Sequence, residues 1–332
     1  MRGRADNRML CAMLRHLLDP GQPLLGGRFP LPLDAPFLRA DLAATGVQSW
    51  ELSWLCAQGY LRRLLETVYV AAQVPDTLDL RVAALNLVVP PDAVITDRSA
   101  GWLHGAQMIL APGDHLAVPP VSVFLNREGA RLRNDLVDSG ERTLAQTDVM
   151  DVRGLQVTTP LRTACDLGRL LSRDWAFAAL DSMLRLGAFD RMTLVHEVER
   201  FGGMRGVRQL RGFAPRADPR SDSPAESVAR LRWQDVFPLH PPQPQVEVPT
   251  PFGWSYWLDL AIEDLLFAVE YDGEEWHRRT TKQKRKDATR RGWLRDKRGW
   301  VIHPVTKENL WGPQRDFEEL LVGWMTSARR RF

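Results

Sequence analysis

Two short stretches of alternating apolar and polar residues, followed at once by a strongly basic segment, constrain this chain more than any other part of it. From Trp254 the sequence is WSYWLDLAIEDLLFAVEYDGEEWH, and it continues as RRTTKQKRKDATRRGWLRDKR. Alternation with period two is typical of half-buried β-strands. Leu258, Leu260 and Ile262 are predicted to share one face of the first strand, with Asp259 on the other face.

The second stretch, residues 267–273, repeats the alternation and predicts a partner strand. A turn near Asp264 would make the pair an antiparallel hairpin in which Asp259 lies across from Glu270. Directly opposed residues have Cβ atoms roughly 4.5–5.5 Å apart. The predicted register therefore gathers Asp259, Glu270 and Asp272 on the face away from the core.

The charges of this region point to a metal and a nucleic acid. Three neighbouring carboxylates raise one another's pKa unless a cation lies among them, and a hard divalent ion prefers such oxygen ligands. From Arg278 to Arg298 there are eleven Lys or Arg residues against Asp287 and Asp296. An acidic pocket beside a cationic helix suits a phosphodiester. A solvated sheet next to a solvated basic helix has the same pattern, so both interpretations stay open.

Asp259, Glu270, Gly273 and the pair Trp276–His277 resemble the PD-(D/E)XK nuclease superfamily. Within it they are most similar to the Vsr-like branch, named for the very-short-patch repair endonucleases. The likeness covers roughly Ser221 to Trp324 and implies a C-terminal α/β restriction-endonuclease-like domain.

The resemblance also implies roles for individual carboxylates. Asp259 and Glu270 would be metal ligands, with Glu226 completing the set; Glu226 and Asp272 would be supporting carboxylates. His277 would act as general base or orient the attacking water. Mg²⁺ or Mn²⁺ is the implied cofactor. Glu226 also has a purely structural interpretation, because it lies in the first turn of a predicted helix, where the helix dipole favours an acid.

The sequence departs from the superfamily pattern at Asp272, where the family has Lys. A cationic partner would then come from elsewhere, with Lys282 or Lys284 as candidates. No structural zinc is expected, since this half of the chain has no cysteine. The residues predicted to contact phosphates are Arg278, Lys282, Lys284, Arg285, Lys286, Arg290 and Arg291.

The N-terminal part has the outline of a winged helix. Residues 36–58 predict two helices separated by Gly46, and residues 60–71 predict a short hairpin. The second helix, over Ser49 to Gln58, contains neither Lys nor Arg, although helices that read DNA usually carry such residues or Asn and Gln at base-facing positions. A helix-turn-helix that serves only for packing, or for binding a protein partner, therefore stays open.

The middle segment contains several spaced motifs. Thr159 followed by Pro160 predicts the start of a helix running to Leu171, and Arg162 and Asp166 are spaced for an ion pair within it. The motifs are Ser99-Ala100, Leu103-His104-Gly105, Thr158-Thr159-Pro160, Arg162-Thr163, Asp166-Leu167 and a helix over Trp175–Leu186. Together with the winged helix, they resemble the AbiEi antitoxin-like family of DNA-binding regulators over about Pro36 to Leu186. By itself, His104 is expected to be a turn or core residue.

The whole chain is predicted to be a multidomain α+β protein. Its 332 residues suit two to three domains, which we place at residues 1–74 (winged-helix-like), 75–213 (AbiEi-like α+β) and 214–332 (nuclease-like). Three widely spaced cysteines predict a reduced, cytoplasmic protein, and the absence of a long apolar run predicts no membrane association. The net charge of +3 implies nothing about nucleic acid; only the local concentration of basic residues does.

Three hypotheses about function follow. The first is a Mg²⁺-dependent DNA endonuclease or nickase with a regulator-like front end. The alternative is an AbiEi-like DNA-binding transcriptional regulator or antitoxin whose nuclease-like domain is catalytically inactive. The third is a protein-interaction module without affinity for nucleic acid. The sequence leaves the oligomeric state open.

Overall fold

The computed structural model describes residues 17–18, 22–90, 93–107, 121–125, 137–138, 142–272, 281–313 and 315–329, with backbone alone for 125, 137–138, 281–286 and 329. The chain divides into two compact units. The first comprises residues 1–105 and 110–159, and the second comprises residues 106–109 and 160–332. The division falls inside the predicted middle domain, and the three domains named above stay a prediction.

The first unit begins with two short helices and a small antiparallel sheet. Its elements are β1 (Phe37–Leu38), α1 (Arg39–Ala44), α2 (Ser49–Ala57), β2 (Leu61–Leu65) and β3 (Val68–Ala71). The strands lie in the order β1-β3-β2. The two helices and the hairpin occur where the sequence predicts them, because each is bounded by local signals. One such signal is Gly46, whose φ of 93° is a conformation that glycine adopts at little cost.

A second sheet follows in the same unit. Its strands lie in the order β6-β5-β4-β8-β7; β4 pairs parallel with β8 and antiparallel with β5. The elements are α3 (Leu78–Asn86), β4 (Ala93–Ile95), α4 (Asp97–Leu103), β5 (Val121–Leu125), β6 (Val137–Asp138), β7 (Val149–Val152) and β8 (Leu155–Thr158). One apolar cluster spans both parts of the unit: Leu65 and Val68 pack in the same cluster as Leu85 and Ile95.

Helices form the first part of the second unit. They are α5 (Pro160–Leu170), α6 (Arg173–Arg185), α7 (Arg191–Glu197) and α8 (Val207–Phe213). Helix α5 starts at Pro160, as predicted. The predicted Arg162–Asp166 ion pair is present at 2.9 Å and buried, and Arg169 also binds Asp166 at 2.9 Å. Three charged groups thus form one buried network along α5.

A four-stranded sheet with helices on both faces forms the rest of the second unit. The strands lie in the order β12-β11-β10-β9; only β11 and β12 are parallel. The elements are α9 (Pro224–Val236), β9 (Gln243–Pro249), β10 (Ser255–Ile262), β11 (Phe267–Asp272), α10 (Thr281–Arg298), β12 (Val301–Thr306), α11 (Lys307–Trp311) and α12 (Phe317–Arg329). Strand β9 contains Pro244 and Pro249 and lies at the edge of the sheet, as prolines require.

The two faces of this sheet pack in separate apolar clusters. One cluster joins Leu260 and Val269 to Trp233 of α9 and Leu321 of α12. The other joins β9 and Ala261 to Leu294 of α10, and it also contains Leu258. The prediction that Leu258 shares a face with Leu260 is therefore wrong. The pairing of β10 with β9 omits Asp259, and Gln245 has a positive φ of 51°, so the alternation of side chains is interrupted there.

A buried ion pair connects α6 to α9. Arg230 Nη2 donates to both carboxylate oxygens of Asp181, at 2.8 and 2.7 Å, and both side chains are almost completely buried. Arg230 Nη1 donates to the Arg216 carbonyl, and the guanidinium lies 4.7 Å from the ring centroid of Phe177. The helical part and the sheet part of the second unit therefore share one interior.

These elements show a mixed α+β protein with antiparallel and mixed sheets. The winged-helix and PD-(D/E)XK assignments within it stay predictions. None of the helices in the described residues is both long and apolar enough to span a lipid bilayer.

Candidate functional site

Asp259 and Glu270 lie on neighbouring strands of the second unit, and the charge of Glu270 contributes to raising the pKa of Asp259. The β10–β11 register pairs Leu260 with Val269 and Ala261 with Ala268, and Asp259 and Glu270 are the next residues of the two strands. This is the register that the alternating pattern predicts, with the connecting turn at residues 263–265. Asp259 Oδ2 accepts a hydrogen bond of 2.8 Å from the backbone N–H of Tyr271. The side chain of Asp259 is thereby held against the neighbouring strand.

Glu226 comes to this site from the first turn of α9. Ser223 is the N-cap residue, and its hydroxyl accepts from the Glu226 backbone N–H and donates to Glu226 Oε1 at 2.8 Å. Glu226 Oε2 accepts from the Asp222 backbone N–H at 2.9 Å and from Gln245 Nε2 at 3.0 Å. Both oxygens are thus used in capping the helix and binding β9. The structural interpretation of Glu226 accounts for each of these contacts.

Arginines from α10 bind the remaining carboxylates. Arg291 donates from Nε to Glu270 at 3.2 Å and from Nη2 to Asp272 at 2.8 Å. Arg290 Nη2 lies 2.7 Å from Glu270 Oε1. That oxygen still accepts no well-directed hydrogen bond, so the Arg290 contact is an ion pair held by charge alone. The superfamily pattern has a Lys at the position of Asp272. Among the described side chains, Arg290 and Arg291 are the cations that lie at this site instead.

Burial and neighbouring charges change the acidity of Asp259 and Glu226. The pKa of Asp259 is raised to about 7, first by burial and then by the charges of Glu226 and Glu270, against lowering contributions from the Tyr271 N–H and Arg290. The pKa of Glu226 is also raised, with burial as the main cause. An acid that is neutral at part of the physiological range can donate or accept a proton there. Perturbed acids of this kind are found at functional sites and in structural networks alike.

The carboxylate oxygens of Glu226 and Glu270 are already occupied by contacts within the protein. Both oxygens of Glu226 are engaged in hydrogen bonds within the protein, and Glu270 is paired with two arginines. Throughout the described part of the chain, no three His, Cys, Asp or Glu side chains are grouped closely enough to hold a metal ion. As folded here, the carboxylates do not fit a divalent ion.

The other predicted site residues are only partly visible. His277 and Arg278 lie outside the described residues. Lys282, Lys284, Arg285 and Lys286 belong to the first turns of α10, but their side chains lie outside the described ones. Arg290 and Arg291, predicted to contact phosphates, bind carboxylates in this structure. The sequence did not predict this pairing; the available signal was the basic helix Thr281–Arg298, which follows the acid-bearing strand β11 in the chain.

The first unit contains no comparable cluster of acids in its described residues. On α2, Trp50 is exposed, and Trp54 stacks on Tyr60 with ring centroids 6.0 Å apart. Arg39 donates to the Ser49 hydroxyl at 2.9 Å. His104 ends α4, and its Nε2 lies 2.7 Å from the Thr158 carbonyl oxygen. Burial lowers the pKa of His104, so its expected role as a structural histidine agrees with its position.

Comparison with known proteins identifies one domain and two relatives. Residues 93–213 match the AbiEi antitoxin C-terminal domain. The match overlaps the region in which the sequence motifs resemble that family, about Pro36 to Leu186, and extends beyond its C-terminal end. Two proteins of Mycobacterium tuberculosis, described as uncharacterized proteins MT2308 and Rv2248, are each 33% identical over 261 residues. The alignment covers 76% of this chain and 88% of each relative. The comparisons provide no support for a Vsr-like nuclease domain.

Proposed function

Because the chain belongs to the same protein family as MT2308 and Rv2248 and contains an AbiEi antitoxin C-terminal domain, we propose that it is an antitoxin-type regulator that acts by binding DNA. The match over residues 93–213 is the observation that carries the proposal. It supports the regulator hypothesis over the nuclease hypothesis.

The charge of helix α10 supports DNA binding by the second unit. Its eighteen residues include nine Lys or Arg and two Asp. Arg290 and Arg291 neutralise carboxylates in this structure, so we assign the phosphate contacts to the other basic residues of α10. Contacts with phosphates attract and position DNA without reading its sequence. In contrast, α2 carries no basic residue, so it contributes little to this attraction.

Charge reversal in α10 tests the proposal. We expect Lys284→Glu/Arg285→Glu to weaken binding of a fluorescent DNA duplex and to lower the salt dependence of binding by about two counterions. The matched control is Arg191→Glu/Arg208→Glu, which reverses two exposed arginines on α7 and α8. Fluorescence anisotropy at several salt concentrations measures both quantities. Equal losses in the two variants, or no binding by the wild-type protein, would contradict the proposal.

A second candidate function, a metal-dependent endonuclease, is favoured by one specific observation. Asp259 and Glu270 directly follow the paired residues Leu260 and Val269 on adjacent strands. The pKa of Asp259 is raised to about 7 by burial and by the charges of Glu226 and Glu270. Catalysis of this kind requires Arg290 and Arg291 to move away from Glu270.

Nicking of supercoiled plasmid in Mn²⁺ tests this second function. Activity should disappear in Asp259→Asn and persist in Asp264→Asn, whose side chain is exposed in the β10–β11 turn. Binding of Mn²⁺ to the folded protein should also raise the melting temperature of the wild-type protein by mass action. Absence of both effects would leave the carboxylates with a structural role and the regulator proposal intact.

A further inference from the structure

Aromatic side chains are exposed at an unusual density around the β9–β10 hairpin. Among the described residues, four aromatic side chains are strongly exposed. Three of them lie within six residues of sequence: Phe252 at 73%, Trp254 at 47% and Trp257 at 50%. The fourth, Trp50 at 43%, belongs to the first unit. Isolated exposed apolar residues are common, but a contiguous patch indicates a binding surface.

The rings form a continuous series from the hairpin loop to helix α10. Phe252 stacks on Trp254 with centroids 6.4 Å apart, and Trp254 meets the edge of Tyr256 at 4.6 Å. Tyr256 in turn lies 5.6 Å from Trp293 of α10. We call these four residues the aromatic surface. Trp257 is excluded, because the side chains of successive strand residues point to opposite faces.

Two arginines lie on the faces of these rings. The guanidinium carbon of Arg290 is 5.5 Å from the centroid of Tyr256, and that of Arg298 is 5.4 Å from the centroid of Trp293. Both side chains also donate to backbone carbonyls, Arg290 to Trp257 and Arg298 to Pro249. These hydrogen bonds fix the cations beside the rings. The outer rings, Phe252 and Trp254, have no such cation among the contacts described and remain largely accessible.

Accessible rings next to fixed cations suit one class of ligand. Bases stack on aromatic side chains, and the phosphates between them are attracted by Arg and Lys. Bases within a duplex are already stacked on one another and are not available to a side chain. An apolar protein partner would have to bury the arginines and the basic face of α10, which costs free energy unless acids pair with them.

We propose that the aromatic surface binds unpaired bases of single-stranded DNA, with Phe252 and Trp254 as the stacking platform and with basic residues of α10, Arg298 among them, contacting the phosphates. The inference rests on the proposed DNA-binding function and adds the form of nucleic acid that it recognises. It also gives the β9–β10 hairpin a role that neither the family match nor the carboxylates require.

Binding of a labelled oligothymidylate and of a labelled duplex of equal length, measured by anisotropy with the full-length protein, tests the proposal. Phe252→Ala and Trp254→Ala should each weaken binding of the single strand by roughly 5- to 150-fold, because stacking contributes about 1–3 kcal/mol per base. The affinity for the duplex should change by less than about two-fold, which is within the scatter of the measurement. Trp254→Phe keeps a ring and should restore most of the affinity for the single strand.

Trp50→Ala is the matched control, since it removes a tryptophan of similar exposure from the first unit. Circular dichroism confirms that each variant is folded. Equal affinity of the wild-type protein and the two alanine variants for the single strand would overturn the inference while leaving the regulator proposal standing. A wild-type protein that binds neither DNA form would instead refute the proposed function itself, so the two failures are distinguishable.

Discussion

Replacement of Asp259 by Asn should change how the stability of the protein depends on pH. The pKa of Asp259 is raised from its ordinary value of 3.8 to about 7 by burial and by the charges of Glu226 and Glu270. Each tenfold change in acidity corresponds to about 1.4 kcal/mol. Ionisation of Asp259 therefore costs the folded state up to about 4 kcal/mol more than it costs the unfolded chain.

The sign of the effect follows from which state holds the proton. Below about pH 4 the carboxyl is protonated in both states, and the group contributes no penalty. Between about pH 4 and pH 7 the unfolded chain loses this proton first, so the free energy of unfolding of the wild-type protein falls as the pH rises. Above about pH 7 the penalty is complete and constant. An Asn at this position has no proton to lose and never incurs it.

Urea unfolding at a series of pH values measures the effect, with tryptophan fluorescence as the signal. The difference in unfolding free energy between Asp259→Asn and the wild-type protein should grow in favour of the variant by up to about 4 kcal/mol from about pH 4 to pH 7. Asp264→Asn, at an exposed position of the same hairpin, should run parallel to the wild-type protein. If Asp259→Asn also runs parallel across this range, burial and the neighbouring charges do not raise the pKa of Asp259 as described.

Two further predictions concern the interior of the second unit. Asp181→Ala leaves Arg230 buried without its carboxylate and should lower the free energy of unfolding by about 3–5 kcal/mol. The double variant Asp181→Leu/Arg230→Met should recover part of this loss. A loss below about 1 kcal/mol in the single variant would show that the pair is not buried. Gly206→Ala should destabilise the protein by well over the roughly 1 kcal/mol expected for backbone strain alone, because its Cβ would lie 1.8 Å from the Arg169 carbonyl oxygen. Gly203→Ala has the same φ of 78° and open space around it, so thermal unfolding of the two variants should differ clearly; equal melting temperatures would contradict the close approach at Gly206.

The arginines at the carboxylate cluster separate the two candidate functions in physical terms. A regulator needs only a stable sheet, and Arg290 and Arg291 stabilise it by neutralising Glu270 and Asp272. A nuclease needs those same oxygens for a metal. Glu270 cannot bind these arginines and a metal ion with the same oxygens at the same time. The nicking and melting experiments above therefore decide between two states of one cluster.

Local patterns in the sequence were sufficient for much of the fold. The alternation at 255–262 and 267–272 predicts both strands and the register of their paired residues, since side-chain direction alternates along a regular strand. Ser223, Pro224 and Glu226 predict the start of α9, because capping involves only the first turn. The prolines between residues 238 and 251 exclude a central strand and predict an extended edge strand or a connector. Each of these signals acts within a few residues of chain.

The contacts that decide the site are not local, and the sequence alone could not supply them. Arg290 and Arg291 reach Glu270 from a helix about twenty residues later, and which basic residues of α10 face the sheet depends on how the helix is rotated. The irregular pairing near Asp259 moves Leu258 to the opposite face. The capping of α9 by Ser223 and the contact with Gln245 use both oxygens of Glu226.

By itself, then, the sequence determined which segments become strands and helices, in which register β10 and β11 pair, and that α10 is basic. Those properties follow from the periodicity of apolar residues and from the local composition. Both can be determined from one segment without the rest of the chain. Only the tertiary structure decided that arginines occupy the carboxylate cluster, that Asp181 and Arg230 join the helices to the sheet, and that four aromatic rings form one surface. Each of these depends on packing between different segments of the chain. Which charges and apolar surfaces become buried there is determined by the fold of the whole unit.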